Sequence, residues 1–200
     1  IQRALTACSG GANNAPFWTS ELLIPASFYK LTNTLVYVAD HVKIRGEGAY
    51  LTKLVMAHGF QKDILRTKNY NDVLAQGYIN YGQYDGFVRI EDIAFIYANS
   101  AGVPENVSNV HIGICYPQEG NTIRNVFLQS GGYGIRCFNG GNGAPAAFRD
   151  VVTGANIAGI CVEPAPGESA CGGHVSIIGV TGDCFTSPNT NCLVKFVNYV

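Results

Sequence analysis

Hydrophobic residues recur along the chain in short clusters that are interrupted throughout by glycine and asparagine. Four segments share a pattern with an apolar residue at the first and fourth positions. They begin at Ile90, Ile123, Phe148 and Val175, so the pattern recurs after 33, 25 and 27 residues. A partial match begins at Ile44, and the step of 46 residues from it to Ile90 implies an insertion. Apolar segments this short predict many strands rather than a few long helices.

A second pattern alternates with the first. The dipeptide Gly-Ile occurs at Gly113, Gly134 and Gly159, at steps of 21 and 25 residues. Two interleaved patterns of similar period predict two strands per turn of one solenoid, and a third strand is expected after each bend. A turn of roughly 25 residues cannot bury its apolar face alone, so successive turns stack and share a core. The sequence therefore predicts an all-β, single-stranded parallel β-helix.

Stacking of this kind places equivalent inward residues above one another, because side chains alternate between the two faces of a strand. Each inward position then becomes a ladder of similar residues along the axis. The predicted ladders are Ile44/Ile90/Ile123/Phe148/Val175, Ile93/Val126/Val151/Ile178 and Ile114/Ile135/Ile160.

A polar column lies at the bend between the first strand of each turn and the third: Gly46, Asp92, Asn125 and Asp150. These residue types tolerate the left-handed backbone that a sharp bend requires. We therefore interpret Asp92 and Asp150 as bend residues rather than catalytic acids.

The ends of the chain divide it into two predicted parts. Ile1, Leu5 and Cys8 fall on one face of a short helix. Residues 1–20 are predicted to form an N-terminal capping helix and loop, because a solenoid must cover its open apolar end. Residues 21–200 are predicted to form the stacked turns, with an insertion at about 57–86.

Charge and cysteine spacing narrow the range of partners. Charged residues make up 14% of the chain and the formal net charge is −1, which gives no reason to expect nucleic acid or membrane insertion. We expect no metal and no cofactor, because the seven cysteines show no CxxC spacing and no Cys/His cluster. Some cysteines are expected to be buried thiols, and a loop disulfide from Cys192 to Cys184 or Cys171 is an open alternative.

The first part of the chain carries a resemblance to a known superfamily. The stretch Leu23–Tyr29, then Leu35–Val38, then the I-x-G-x-G sequence at 44–48 resembles the opening of pectate-lyase-like β-helices. This superfamily includes phage tailspikes and secreted polysaccharide-degrading enzymes. Ser27 stands where the family usually has glycine. The resemblance implies a right-handed β-helix, but the same fold hosts lyases, hydrolases and structural fibres.

Few residues suggest catalysis. Glu91, Arg124 and Arg149 are predicted to share an outward column, most simply as a surface ion-pair ladder; the alternative is a lyase site with an arginine base. Glu163 and Glu168 flank a Pro-Ala-Pro-Gly loop. They are candidates for the carboxylate pair of a glycoside hydrolase, with solvated loop acids as the alternative.

The insertion suggests binding. Tyr78, Tyr81 and Tyr84 recur at every third residue and are followed by Asp85. Tyrosine has an apolar ring and a polar tip, which suit sugars and subunit interfaces alike. Long loops on compact domains are usually functional. These four residues are candidates for substrate binding, with subunit contact or plain packing as alternatives.

The favoured functional hypothesis is a viral appendage: a phage tailspike, tail fibre or capsid decoration on the virion surface. It would bind or degrade host cell-surface polysaccharide, and we expect a homotrimer, as the resemblance implies. One alternative is a secreted bacterial polysaccharide lyase or glycoside hydrolase. The other is a structural spacer without a ligand.

Overall fold

The computed structural model describes residues 1–9, 20–38, 42–78, 85–86, 88–98, 109–115, 117, 121–139, 146–154, 157–182 and 192–198. These residues form two helices, α1 (Gln2–Ser9) and α2 (Lys68–Gln76), and two parallel sheets. Sheet A contains β1 (Ser20–Ile24), β2 (Ser27–Leu31), β4 (Val42–Gly46), β5 (Thr52–Met56), β7 (Arg89–Tyr97), β9 (Thr122–Gln129), β11 (Ala146–Gly154), β13 (Val175–Ile178) and β14 (Thr181–Gly182). Sheet B contains β3 (Leu35–Tyr37), β6 (Leu65–Thr67), β8 (Val110–Cys115), β10 (Tyr133–Phe138), β12 (Ala158–Glu163) and β15 (Cys192–Phe196). Neither helix has the length and apolar character that crossing a membrane requires.

The chain visits the two sheets in a repeating order. Sheet A has two columns of strands, one running β1, β4, β7, β9, β11, β13 and the other β2, β5, β7, β9, β11, β14. The long strands β7, β9 and β11 bend in the middle and belong to both columns. After each visit to sheet A the chain enters sheet B, whose strands lie in the order β3, β6, β8, β10, β12, β15. The predicted all-β, parallel architecture is confirmed.

The first inward ladder is correct for four of its five members. Residues 44, 90, 123 and 148 stand opposite one another in neighbouring strands and are buried. The fifth prediction, Val175, is wrong, because Phe148 pairs with Ile177. A slip of two residues leaves the apolar face unchanged, since side chains repeat every two residues along a strand. Turn length decides between the two registers, and the hydrophobic pattern does not encode it.

Slips of the same size affect the other two ladders. The first three members of the second ladder are in register, but Ile178 lies opposite Arg149 rather than in the ladder. In sheet B, Ile135 pairs with Ile112, not with the predicted Ile114. Both isoleucines of β8, Ile112 and Ile114, are fully buried. Either register would therefore place an isoleucine in the core opposite Ile135.

The predicted bend column adopts a left-handed backbone. Asp92, Asn125 and Asp150 have φ angles of 60°, 49° and 52°. Asn125 Nδ2 donates a hydrogen bond of 2.6 Å to Asp92 Oδ1, which joins two passes of the chain. Gly46 serves by lacking a side chain, because a Cβ there would lie 2.2 Å from the Asp92 carbonyl oxygen. These contacts support the interpretation of the column as structural.

Helix α1 covers one end of the core. Leu5 is buried, and Ile1 and Cys8 pack beside it, as the sequence predicts. The side chain of Gln2 pairs with edge strand β3: Gln2 Oε1 accepts from Val36 N at 2.9 Å, and Gln2 Nε2 donates to Val36 O at 2.8 Å. An exposed strand edge otherwise offers these groups to other chains.

The predicted insertion at 57–86 contains both a sheet strand and an added helix. Residues 65–67 are β6 and pair with β3 and β8. Helix α2 then begins at its N-cap Thr67 and ends at Gly77, whose φ is 76°. Its buried residues Tyr70 and Val73 pack on the outer face of sheet B in a cluster completed by Cys115, Phe138 and Ala165. Plain packing therefore accounts for the helical part.

Buried His111 fastens the turn between β9 and β10. Its Nδ1 lies 2.8 Å from the carbonyl oxygen of Tyr133, and its Nε2 lies 3.0 Å from that of Gln129. The edge of the Tyr97 ring packs on the imidazole. Burial lowers the pKa of His111 below 6.5, while the two carbonyl oxygens and Asp63 act in the opposite direction.

Replacing Asn125 tests the bend column. We expect Asn125→Ala to lower the free energy of unfolding by about 1–2 kcal/mol, because alanine is disfavoured in the left-handed region. Asn125→Gly keeps that backbone and loses only the hydrogen bond to Asp92, so its loss should be smaller. Urea unfolding measures both, and an alanine variant as stable as the original protein would contradict the assignment.

Acid should weaken the fold through His111. Its pKa is lower in the folded chain than in the unfolded chain, so the unfolded chain binds more protons below pH 6.5. Stability should therefore be complete above about pH 6.5 and decline below it, by at most about 1.4 kcal/mol per pH unit. The variant His111→Gln should lack this component of the pH dependence below about pH 6.5. Parallel pH profiles for the two proteins would refute the role of His111.

Candidate functional site

The outer face of the first column of sheet A brings together two of the predicted site residues. Glu91 lies opposite Arg124, which lies opposite Arg149, so the predicted outward column is in register. Other outward positions of these strands add further charges. We call this surface the cation face; it comprises Lys43, Arg45, Arg89, Arg124 and Arg149, with Glu21 and Glu91 as its acids.

Ion pairs connect part of the cation face. Glu91 Oε2 lies 3.1 Å from Lys43 Nζ and 3.1 Å from Arg124 Nη2. Glu21 Oε1 lies 2.5 Å from Arg45 Nε, and its other oxygen lies 4.0 Å from Lys43 Nζ. Both acids are therefore used near the β1 end of the sheet. In the described residues, Arg149 has no acidic partner within ion-pair distance, although it stands beside Arg124.

A pair of aromatic rings lies across the bend from the arginines. Phe127 follows Arg124 by three residues and points outward from β9. The ring of Tyr50, in the turn between β4 and β5, lies 5.3 Å from the Phe127 ring, centroid to centroid. Tyr50 is 64% exposed, and Ala94, between Lys53 and Phe127 in register, is fully buried. The small side chain of Ala94 leaves room for this ring pair.

Phe28 and Leu51 extend the apolar character of the surface. Both are exposed, and Phe28 lies opposite Lys53 in the second column of sheet A. Aromatic faces next to guanidinium groups can stack on sugar rings and donate hydrogen bonds to their oxygens. The sequence analysis overlooked Tyr50 and Phe127. Phe127 could have indicated this surface, because it is an aromatic residue at an outward strand position, where polar residues are usual.

The predicted acids Glu163 and Glu168 lie on the opposite side of the molecule, by sheet B. Glu163 accepts a 2.5 Å hydrogen bond from Arg136 Nε. The Arg136 guanidinium also stacks on the rings of Tyr133 and Phe138, at 4.9 and 5.3 Å. Glu168 is exposed and accepts from Asn139 Nδ2 at 2.6 Å. Each carboxylate has its own partner, which favours a structural role for both.

The four predicted binding residues of the insertion have different environments. Tyr78 is 52% exposed at the end of α2, next to Gly167. Tyr81 and Tyr84 lie outside the described residues. Asp85 is 1% exposed, so its side chain lies in the interior rather than at the surface.

Asp85 instead holds the end of the insertion in place. Its Oδ2 accepts from the Thr67 hydroxyl and, at 2.6 Å, from Cys115 N. Its carbonyl oxygen accepts from Asn121 Nδ2 at 2.7 Å. A carboxylate suits this position because it provides acceptors to buried donors that water cannot reach.

Thiols and histidines offer little for catalysis in the described part of the chain. Cys171 and Cys192, two of the three cysteines considered for a disulfide, are free thiols, and Cys184 lies outside the described residues. Burial raises the pKa of Cys161 to about 12, with Glu163 adding to the effect, so this thiol stays protonated. No group of three or more histidine, cysteine, aspartate or glutamate side chains within the described ranges is placed to hold a metal ion.

Comparison with known proteins leaves the cation face and the ring pair as the main functional evidence. No protein-family model matches the chain, and searches of curated proteins and of solved structures return no similar protein.

Proposed function

We propose that this chain is a right-handed parallel β-helix from a phage surface appendage, and that the outer face of sheet A binds host cell-surface polysaccharide. The repeated order of strands supports the β-helix, because strands of successive passes are neighbours in both sheets. The resemblance of the 23–48 segment to pectate-lyase-like proteins supports the right-handed form and the viral setting.

The ring pair Tyr50–Phe127 is the observation that carries the binding proposal. An exposed tyrosine held by a second ring offers a rigid apolar face at small cost in conformational entropy. The exposed Arg124 side chain stands on the same strand as Phe127 and adds hydrogen-bond donors. Ligand sites combine apolar contact with a few polar groups in this manner.

Binding is proposed rather than cleavage because of how the candidate acids are held. Glu91 contacts two cations, and Glu163 contacts one. The two acids also lie in different sheets, so they do not form the carboxylate pair that a glycoside hydrolase requires. These side chains therefore fit the role of positioning groups for cations.

A homotrimer on the virion surface is the assembly we propose. Large apolar side chains are also exposed on the sheet B side, away from the proposed binding surface, among them Leu74 of α2 and Phe196 of β15, and such residues often mark contacts between proteins. The free thiols of the described residues fit a chain that assembles in a reducing cytoplasm.

Light scattering after gel filtration tests the assembly. We expect a mass of three chains of 21.4 kDa, unchanged by a reducing agent because the cysteines in the described part of the chain are free thiols. A monomeric mass with and without reductant would contradict the proposed trimer and favour a free-standing protein.

Two tyrosine variants test the binding surface. We expect Tyr50→Ala to lower affinity for host polysaccharide about tenfold or more, since stacking on a ring contributes roughly 1–3 kcal/mol. Tyr78→Ala is the matched control, because it removes an exposed tyrosine from the sheet B side. Calorimetric titration with purified host surface polysaccharides measures both variants.

The two variants separate the alternatives. Loss of binding with Tyr78→Ala alone would move the site to the insertion. If the original protein binds no polysaccharide from its host, the binding proposal fails and the structural spacer is favoured.

A further inference from the structure

The cation face contains an unusual pair of like charges. Arg124 and Arg149 are direct neighbours in the parallel register of β9 and β11, and both are exposed. Neighbouring strands lie about 4.8 Å apart, so the two side chains leave the sheet close together. Like charges facing each other across strands are destabilising. The repulsion between the two arginines therefore lowers the stability of the sheet unless a bound anion offsets it.

Of the two arginines, only Arg124 contacts an acid of the cation face. Glu91 contacts Arg124 but also Lys43, so its single negative charge is divided between two cations. On its other side, Arg149 is followed in register by Ile178, which is apolar and half exposed. Asp150, the next residue of β11, lies in the bend column with its carboxylate beside Gly179. The positive charge of Arg124 and Arg149 is thus local to the outward column, whereas Glu21 and Glu91 balance the β1 end.

The chemistry of two adjacent guanidinium groups selects an oxyanion. Each guanidinium is planar and presents several N–H donors, which match the two oxygens of a carboxylate or of a sulfate or phosphate ester. Two such groups on neighbouring strands can both donate hydrogen bonds to one oxyanion. The ring pair across the bend provides the apolar surface on which the attached sugar ring can lie.

We propose that Arg124 and Arg149 form an anion subsite, and that the polysaccharide of the proposed function is therefore acidic. This inference rests on the proposed function and adds the chemical class of the ligand. The subsite takes one oxyanion group of the glycan, carried as a uronate carboxylate or as a sulfate ester. Glu91 limits its strength, because this carboxylate competes with the ligand for Arg124.

Titration of the folded protein with three polymers tests the subsite. The probes are a polyuronate, a sulfated glycan and a neutral glucan of similar length. We expect binding of at least one acidic polymer, no binding of the neutral one, and an affinity that declines with added salt. The ratio between polyuronate and sulfated glycan identifies which oxyanion the subsite prefers.

Charge variants locate the effect. We expect Arg149→Gln and Arg124→Gln each to lower the affinity for the preferred acidic polymer about tenfold. Arg149→Lys should recover only part of it, since lysine keeps the charge but lacks the planar fork. Arg3→Gln, in α1, is the control because it removes the same charge from an exposed position outside the strands that carry the two arginines. The midpoint of thermal unfolding verifies that each variant is folded.

Glu91→Gln has the opposite expected sign. It releases Lys43 and Arg124 from their shared carboxylate, and the affinity for the acidic polymer should rise severalfold. A surface that served only to stabilise the sheet would show no such gain.

The outcomes distinguish this inference from the function on which it rests. If Arg149→Gln and Arg124→Gln bind like Arg3→Gln while Tyr50→Ala loses affinity, the anion subsite is wrong and polysaccharide binding stands. Preferential binding of the neutral glucan would have the same meaning. If neither host polysaccharide nor any of the three polymers binds, both proposals are overturned.

Discussion

Parallel, in-register pairing between successive passes of the chain is the constraint on which the rest of the structure depends. Each inward side chain meets its counterpart from the next strand, so the core consists of ladders such as Ile44, Ile90 and Ile123. The same register brings outward residues into columns. The core and the charged surface are therefore two consequences of one pairing pattern.

That constraint also explains how polar residues serve the fold. Asn125 and Asp92 occupy corresponding bends, so an amide of one pass reaches a carboxylate of another. His111 and Asp85 also join separate parts of the chain, over 18 and 30 residues, and each provides hydrogen-bond partners to backbone groups of a different pass. Buried polar groups that are satisfied in this manner add specificity to a core that is otherwise uniform in composition.

Repetition made the strands and the bend column predictable from sequence, because stacked passes require similar residues at equivalent positions. The capping helix was predictable from the helical spacing of Ile1, Leu5 and Cys8. Register was less predictable, as Ile177 and Ile112 show: a slip of two residues preserves the apolar pattern, and only turn length distinguishes the alternatives. Glu91 and Arg124 were placed together correctly because both lie on regular strands. Tyr50 and Asp85 lie outside regular strands, and their environments depend on contacts that leave no periodic signal.

The two edges of sheet B differ, because the side chain of Gln2 occupies one of them. Its primary amide occupies the position of a peptide group on β3, so one glutamine side chain serves as a strand one residue long. Growth of sheet B by addition of another strand is thereby blocked at this end by a side chain rather than by a bulky domain. Head-to-tail pairing of sheet B between copies is therefore hindered, because one of the two edges that would have to meet is already occupied.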